Sequence, residues 1–226
     1  ELKQVTDNVA HELRTPITRI RGIAETTLNS SADRNEFREM AASVIEGSDR
    51  IIEMINTMLE ITRTDSGVAE LVRTSLNLRE IIREAVDLFK PLAEDKNIAL
   101  QLEIPPGDIL FSGDRSRIQR AVANLIDNAI KYTSSGGLVK VSARSHPTGI
   151  KVIIADTGPA IDEKDISHIF DRFYRGDESR STPGSGLGLS LALTLIRAHG
   201  GDIFVKSSPG RGNTFTITLP GPPLPS

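Results

Sequence analysis

The sequence of 226 residues contains no cysteine and no tryptophan. Without thiols there is no disulfide, no thiolate metal site, no iron–sulfur cluster and no cysteine nucleophile, which is compatible with the cytoplasm. Aromatic residues make up only 4% of the chain. Neither sign of charge dominates: 27 Lys+Arg against 30 Asp+Glu leave a net −3. That balance provides no electrostatic footprint for nucleic acid or an anionic membrane surface. Long apolar runs are missing as well. Stretches such as Val152 to Ala155 fall far short of the ~20 residues a membrane-spanning helix requires, and no signal-peptide pattern is visible. What remains is 38% apolar and 25% charged residues, the composition of a folded, soluble protein of one or two domains.

Two textures divide the chain. Residues 1–66 hold a single proline, Pro16, and repeat apolar residues every three or four positions. Leu2, Val5, Val9, Leu13, Ile17, Ile20, Ala24 and Leu28 form one stripe; Phe37, Met40, Val44, Ile51, Ile55 and Met58 form another, widened by Ile45, Ile52 and Leu59. Both predict long amphipathic helices. The polar turn from Asn29 to Asp33 makes them an antiparallel hairpin. Two helices alone cannot bury stripes this wide, so a dimeric four-helix bundle is expected.

Residues 67–76 read as a hinge or linker, and 77–220 as a second domain ending in a Pro-rich tail over 221–226. Helical patterns cover Asn77 to Glu94, opened by an Asn77/Glu80 variant of the capping box, then Arg117 to Tyr132 and Leu187 to Ala198. Strand patterns cover Ile98–Ile104, Leu138–Arg144, Ile150–Ala155, Asp202–Lys206 and Thr214–Leu219. The fold class is therefore α+β: the hairpin, then an α/β sandwich with helices on one face of a mixed sheet. Residues 157–186 are long for a connection, polar and rich in Gly, Asp and Arg. Loops of that length are usually functional.

His11 lies about 200° around its helix from Val9, off the apolar stripe, on the face that carries Thr15, Thr18 and Gly22. A lone helical histidine is ordinarily a solvated surface residue. Here Glu12 is adjacent, and Pro16 deprives the Glu12 carbonyl of its helical partner, favouring a bend. A neutral imidazole is a competent nucleophile, and a carboxylate at its other nitrogen fixes the tautomer. A metal site is disfavoured because no second histidine is near in sequence.

The second domain has neither a Walker-type loop nor a protein-kinase catalytic loop. It has three weaker signals in order. Asn124, Asn128 and Lys131, with Asp127 beside them, share one helix face; amide oxygens suit a hard cation and the lysine suits phosphate. The apolar strand Ile153–Ile154–Ala155 ends in Asp156–Thr157–Gly158, an acid able to accept from a purine amino group. Gly184, Gly186 and Gly188 precede a helix, where backbone approaches closely and phosphate is attracted.

Taken together these residues resemble the cytoplasmic core of a two-component sensor histidine kinase, whose ATP-binding domain belongs to the gyrase and heat-shock chaperone superfamily. His11–Glu12–Leu13–Arg14–Thr15–Pro16 resembles the phosphoacceptor box, Asn124 to Tyr132 the asparagine box, and Asp156–Thr157–Gly158 the first glycine box. Ile169 to Arg175 resembles the phenylalanine box, and Gly184 to Gly188 the second glycine box. The resemblance covers nearly the whole chain. It implies that His11 takes the γ-phosphoryl group of ATP, with Glu12 as base or orienting partner. Asn128 would ligate Mg²⁺ with support from Asn124, and Lys131 would meet phosphate. Tyr132 would lie along the adenine, whose amino group Asp156 would bind. Gly158, Gly184, Gly186, Leu187 and Gly188 would form the nucleotide site and its lid, and Arg175 would stabilise the transferring group. Thr15 would position water for dephosphorylation of the partner. The implied partners are a second copy of the chain and the receiver domain of a response regulator, with no nucleic acid and no membrane contact by this fragment. The resemblance also implies a cytoplasmic location, with the full-length protein anchored in the membrane. One departure stands out: Ala160 occupies a position where the family usually has glycine, which predicts backbone strain if that position requires φ > 0.

Overall fold

The computed structural model describes residues 2–30, 32–68, 70–146, 149–176 and 184–221, with side chains throughout except at 2–9 and 11. The hairpin forms as its periodicity predicts: α1 (Leu2–Leu28) runs through Pro16 without interruption, and α2 (Arg34–Asp65) returns along it. Asp33 starts α2 with a full capping box. Its carboxylate accepts from the N–H groups of Asn35 (2.7 Å) and Glu36 (3.0 Å), and the Glu36 carboxylate accepts from the Asp33 N–H (2.8 Å). Ile20 packs where a Cβ on Gly47 would stand 2.7 Å away, so the two helices approach closely at that point.

Beyond the hairpin come β1 (Thr74–Asn77), α3 (Leu78–Asp95), β2 (Ala99–Glu103), β3 (Leu110–Gly113), α4 (Arg115–Tyr132), β4 (Leu138–His146), β5 (Gly149–Asp156), the single turn α5 (Glu163–Ile166), α6 (Gly188–Ala198), β6 (Asp202–Ser208) and β7 (Gly212–Leu219). Five strands form one mixed sheet in the order β2-β4-β5-β7-β6; β2 and β4 are parallel and the remaining pairs antiparallel. The inward positions alternate strictly. Ile150, Val152, Ile154 and Asp156 of β5 lie opposite Leu219, Ile217, Phe215 and Asn213 of β7 and are buried with them. Helices α3, α4 and α6 supply the other half of this core with Ile81, Ile82, Leu125, Ile126, Leu191 and Leu195, all of them fully or almost fully buried.

Three features differ from expectation. β1 and β3 pair as a separate two-stranded sheet, so Thr74–Leu76 of the segment read as linker are strand. Asn77 caps α3 by accepting from the Arg79 and Ile109 N–H groups rather than through a reciprocal bond with Glu80. α5 interrupts the stretch read as continuous loop. Beyond Gly221, the expected tail lies outside the described residues. Among the described residues, no helix is long and apolar enough to cross a membrane.

The hairpin is docked on the second domain. Met54, Thr57 and Ile61 of α2 are buried, and α2 packs against α6. Arg120 pairs with Glu60 and donates to the Thr57 hydroxyl (3.2 Å); Arg172 pairs with Asp65. The chain between the domains is itself fastened. Arg117 donates to the Glu70 carbonyl (3.2 Å), the Val72 N–H donates to Asp114 (3.3 Å), and Arg73 donates to the Ala198 carbonyl (3.4 Å).

Candidate nucleotide site

A cavity of about 650 Å³ opens at the end of the sheet, between α4, the β5–α5 connection, the N-terminus of α6 and the flank of α2. α4 contributes Asn124, Asp127, Asn128, Lys131 and Tyr132 at three- and four-residue spacing, so one helix face becomes one polar wall. Asn124 donates its amide to the Arg120 carbonyl (3.0 Å), which leaves its oxygen toward Gly188 at the start of α6. Lys131 stands over the Tyr132 ring, 5.1 Å from its centroid, and a Cβ on Gly184 would collide with its ammonium. Lys96, which the sequence did not single out, closes the end of the same helix by donating to the Ile130 (2.7 Å) and Lys131 (3.0 Å) carbonyls.

Asp156 forms the floor. Its Oδ1 accepts from the Gly158 N–H (2.8 Å) and from the Asn213 side-chain amide (2.9 Å). Burial raises its carboxyl above the ordinary carboxylate range, and the hydrogen bonds from Asn213 and Gly158 only partly oppose that. On α4, desolvation likewise raises Asp127, with Lys131 pulling the other way and Glu53 of α2 adding to the rise.

The loop beside the floor is pinned at its stem. Phe173 adopts φ 64°, unusual for a bulky residue, and its N–H donates to the Gly186 carbonyl (3.0 Å). Gly186 has φ +68°, and a Cβ there would stand 2.8 Å from the Phe173 carbonyl carbon. Arg175 and Arg50 both donate to the Gly184 carbonyl, at 3.0 and 3.4 Å. Ala160 lines the cavity without strain: among the described non-glycine residues only Asn97 and Phe173 have positive φ. The strain predicted at that position is absent.

The sequence-predicted residues therefore divide. Asn124, Asn128, Lys131, Tyr132, Asp156, Arg175, Gly184, Gly186 and Gly188 all line one cavity. Gly158 stands behind it, its N–H directed to Asp156. Leu187 does not line it: that side chain is fully buried in the core. Phe173 is buried too, and Phe170 packs partly buried against the same core. No described side chain of α1 lines the cavity. Glu12 and Thr15 lie on that helix, as does His11, whose side chain falls outside the described ones. Asn213 was missed as a separate site residue. Its signal was available, because it continues the alternation of Phe215, Ile217 and Leu219 with a polar side chain.

Comparison with known proteins agrees with this geometry. Residues 1–67 match the family described as His Kinase A (phospho-acceptor) domain, and residues 113–223 match the Histidine kinase-, DNA gyrase B-, and HSP90-like ATPase family. The chain belongs to the histidine kinases and comprises their catalytic core. It is 35% identical over 215 residues to the sensor-like histidine kinase SenX3 of Mycobacterium tuberculosis, covering 94% of this chain and 52% of that one. It is 30% identical over 225 residues to the sensor histidine kinase WalK of Bacillus subtilis, covering 97% and 37%. The chain thus spans about half or less of these relatives. Among solved structures, histidine kinase ThkA in complex with the response regulator protein TrrA superposes with a TM-score of 0.78 at 28% identity, covering 98% of this chain and 62% of that one. The Acinetobacter baumannii histidine kinase AdeS shares the fold, with a TM-score of 0.75 at 23% identity.

Proposed function

We propose that this chain transfers the γ-phosphoryl group of ATP to His11 and passes it on to an aspartate of a response regulator. The observation that carries the reading is the cavity itself: a buried carboxylate at the floor, two asparagines and a lysine on one wall, and a helix N-terminus opposite. Asp156 is suited to the purine amino group: the Gly158 N–H and the Asn213 side-chain amide, both on Oδ1, hold its carboxylate at the cavity floor, where a carboxylate accepts from an amino donor. Tyr132 offers a ring face for the base. Lys131, Arg175 and the N-terminus of α6 concentrate positive charge where phosphates would lie. Asn128 and Asn124 would hold Mg²⁺. The fit is chemical: the Asn124 amide nitrogen is engaged with Arg120, so oxygen is the atom offered. When bound, the ion would offset phosphate charge.

In the first step an imidazole nitrogen of His11 bonds to the γ-phosphorus as the bond to the bridging oxygen breaks and ADP departs. Glu12 holds the other nitrogen and accepts its proton. In the second step the N–P bond breaks as a carboxylate oxygen of the regulator bonds to phosphorus, and a proton returns to the ring from Glu12 or solvent to restore neutral His11. Thr15 is the proposed residue for positioning a water that hydrolyses the regulator's aspartyl phosphate to free phosphate, a reaction separate from the transfer. His11 and the nucleotide must approach for transfer and separate for the regulator to dock, so a movement between the two parts of the chain is proposed. Residues 67–76 are the proposed hinge between a phosphoacceptor domain over 1–66 and an ATP-binding domain over 77–220.

The partner copy is proposed from the hairpin. Ile17, Ile45, Ile52, Ile55 and Leu59 are 44–61% exposed in the single chain, a stripe suited to a four-helix dimer. The full-length protein is proposed to be anchored in a membrane, with this portion cytoplasmic. Incubation with γ-labelled ATP and Mg²⁺ tests the central reading. Label that is acid-labile, base-stable and lost in both His11→Gln and Asn128→Ala supports it; an unlabelled wild type with no nucleotide binding overturns it.

A further inference from the structure

Helices α3, α4 and α6 pack on one face of the mixed sheet; the opposite, outer face presents the half-buried and exposed positions of each strand. There the register sets side chains in rows across the strands. Ser142, Ile153, Thr216 and Phe204 form the middle row, and Phe204 is 54% exposed. Arg144 and Lys151 lie on one side of it, Lys140 and Lys206 on the other. None of these residues lines the nucleotide cavity. Arg144 stands directly opposite Lys151, a pairing of like charges that costs stability. The acids at the margin are already engaged: Glu103 by Lys140 (2.7 Å) and Asp202 by Arg197 (3.1 Å). Among the described residues, Arg144, Lys151 and Lys206 have no acidic partner. This is a local cationic field on a chain of net charge −3. An open cleft of about 470 Å³ adjoins it where β2 leaves the sheet, lined by Ile104, Pro105, Arg144 and Ile153.

We propose that this outer sheet face docks an acidic amphipathic helix of a partner protein. The helix lies across the strands, with its apolar ridge on Ile153 and Phe204 and its carboxylates on Arg144, Lys151 and Lys206. The dimensions agree. The cationic rows are two residues along the strands from the middle row, about 7 Å to either side, and a helix with its side chains is about 10–12 Å across. Ile153 and Phe204 stand two strands apart, about 10 Å. Apolar residues i and i+7 on one helix face are about 10.5 Å apart. The cleft beside Ile153 takes one larger apolar side chain, with Arg144 at its rim. An added strand does not fit, because β4, β5 and β7 are already paired on both sides and offer only side chains. A second copy stacked face to face would set these cations against each other. A membrane is the poorer match. Three unpaired cations fall short of the about four to eight that mark lipid-binding clusters, and the short Thr216 parts the two apolar side chains.

The test titrates the full chain with a synthetic helical peptide of about five turns, leucine along one face and glutamate on both flanks. The same peptide with glutamine for glutamate, and vesicles of phosphatidylserine and phosphatidylcholine, are run beside it. Anisotropy of the labelled peptide reads affinity, and amide shifts of the ¹⁵N-labelled chain locate the contact. The glutamate peptide is expected to bind, more weakly as salt rises, with shifts gathered on β4, β5, β6 and β7 around Ile153, Phe204 and Thr216. Arg144→Glu combined with Lys151→Glu is expected to weaken it at least about 10-fold and to leave ATP binding unchanged. Phe204→Ser weakens it as well. Arg144→Gln with Lys151→Gln carries the comparison if the double reversal melts without cooperativity. Several results overturn the proposal: no binding of the glutamate peptide, equal binding of the glutamine peptide, undiminished binding by the folded double variant, or shifts gathered elsewhere. Vesicles that move these amides where the peptide does not would assign the face to a membrane and overturn it too. So would the same shifts appearing on raising the concentration of the chain alone, which would assign the face to a second copy.

Discussion

Burial moves two titratable side chains in opposite directions, and their surroundings explain why one serves the site and the other the scaffold. His199 is 1% exposed; its Nδ1 donates to the Leu195 carbonyl (2.7 Å) and its Nε2 accepts from the Asp114 N–H (3.0 Å). That pattern requires the neutral ring, and desolvation, opposed in part by the Leu195 carbonyl, lowers its pKa below the usual histidine value. The unfolded chain therefore takes up the proton first as pH falls. This contribution to stability is complete above about pH 6.5 and is lost as pH drops through that value toward the lower folded one. The melting midpoint is expected to rise between pH 5 and 7, with a visibly shallower rise in His199→Gln. His199→Ala leaves the Asp114 N–H buried without its acceptor and is expected to cost on the order of 1–3 kcal/mol by denaturant titration. Asp156 has the reverse sign. A carboxyl raised by burial penalises folding once pH exceeds its unfolded value, so Asp156→Asn is expected to raise the melting temperature of the ligand-free protein at pH 7. The same substitution is expected to weaken ATP binding by roughly 10- to 100-fold; a variant both less stable and fully competent for ATP would contradict the assignment.

The long periodic elements were legible from the sequence because each repeats its signal over many residues. α1, α2, α3, α4, α6 and the five sheet strands all fall close to where periodicity predicts them. The short ones were not. β1 and β3 have four residues each and bury only Leu76, Phe111 and Gly113 between them, too little for an alternation to stand out, and each is held by the other rather than by its own pattern. α5 is a single turn. The site followed the same division. The residues of α4 were readable as one face, whereas Asn213 becomes a site residue only once β7 lies beside β5 in register. The stem of the loop is also a product of tertiary contact. Phe173 and Gly186 hold complementary left-handed backbones, each filling space the other leaves. Gly186→Ala introduces both the left-handed penalty, about 1–2 kcal/mol, and a collision with Phe173. Its expected outcome is a lower melting temperature together with weaker nucleotide binding, whereas Gly136→Ala, also at positive φ but with open space around it, is expected to affect stability alone.

At the scale of the molecule, sequence reading separated two textures but could not see how they meet. The pairs Glu60–Arg120 and Asp65–Arg172 join residues 60 and 107 positions apart, and no local pattern encodes them. These pairs are partly solvent-exposed and individually weak, so the docked state is expected to yield to modest perturbation. Charge reversal at both Arg120 and Arg172 is expected to enlarge the radius of gyration in small-angle scattering. Shortening or stiffening residues 67–76 is expected to depress His11 phosphorylation more than ATP binding; equal loss of both would remove the hinge from the mechanism. Arg117, Asp114 and Arg73 already fasten residues 70–73, which leaves little free chain between the end of α2 and the first of these anchors.

One wall of the cavity belongs to the other domain. Arg50, Glu53, Met54 and Thr57 of α2 face the same space as Asp156 and Asn128. A ligand filling that space has a different free energy with α2 in place and with α2 withdrawn. Thermodynamic linkage makes the relation mutual: whatever factor α2 displacement changes the ligand's affinity by, the ligand changes the equilibrium of α2 displacement by the same factor. The long helix is thus a two-way gauge. If the proposed nucleotide binds there, a displacement of α2 that alters its affinity would be opposed or favoured by nucleotide to the same extent.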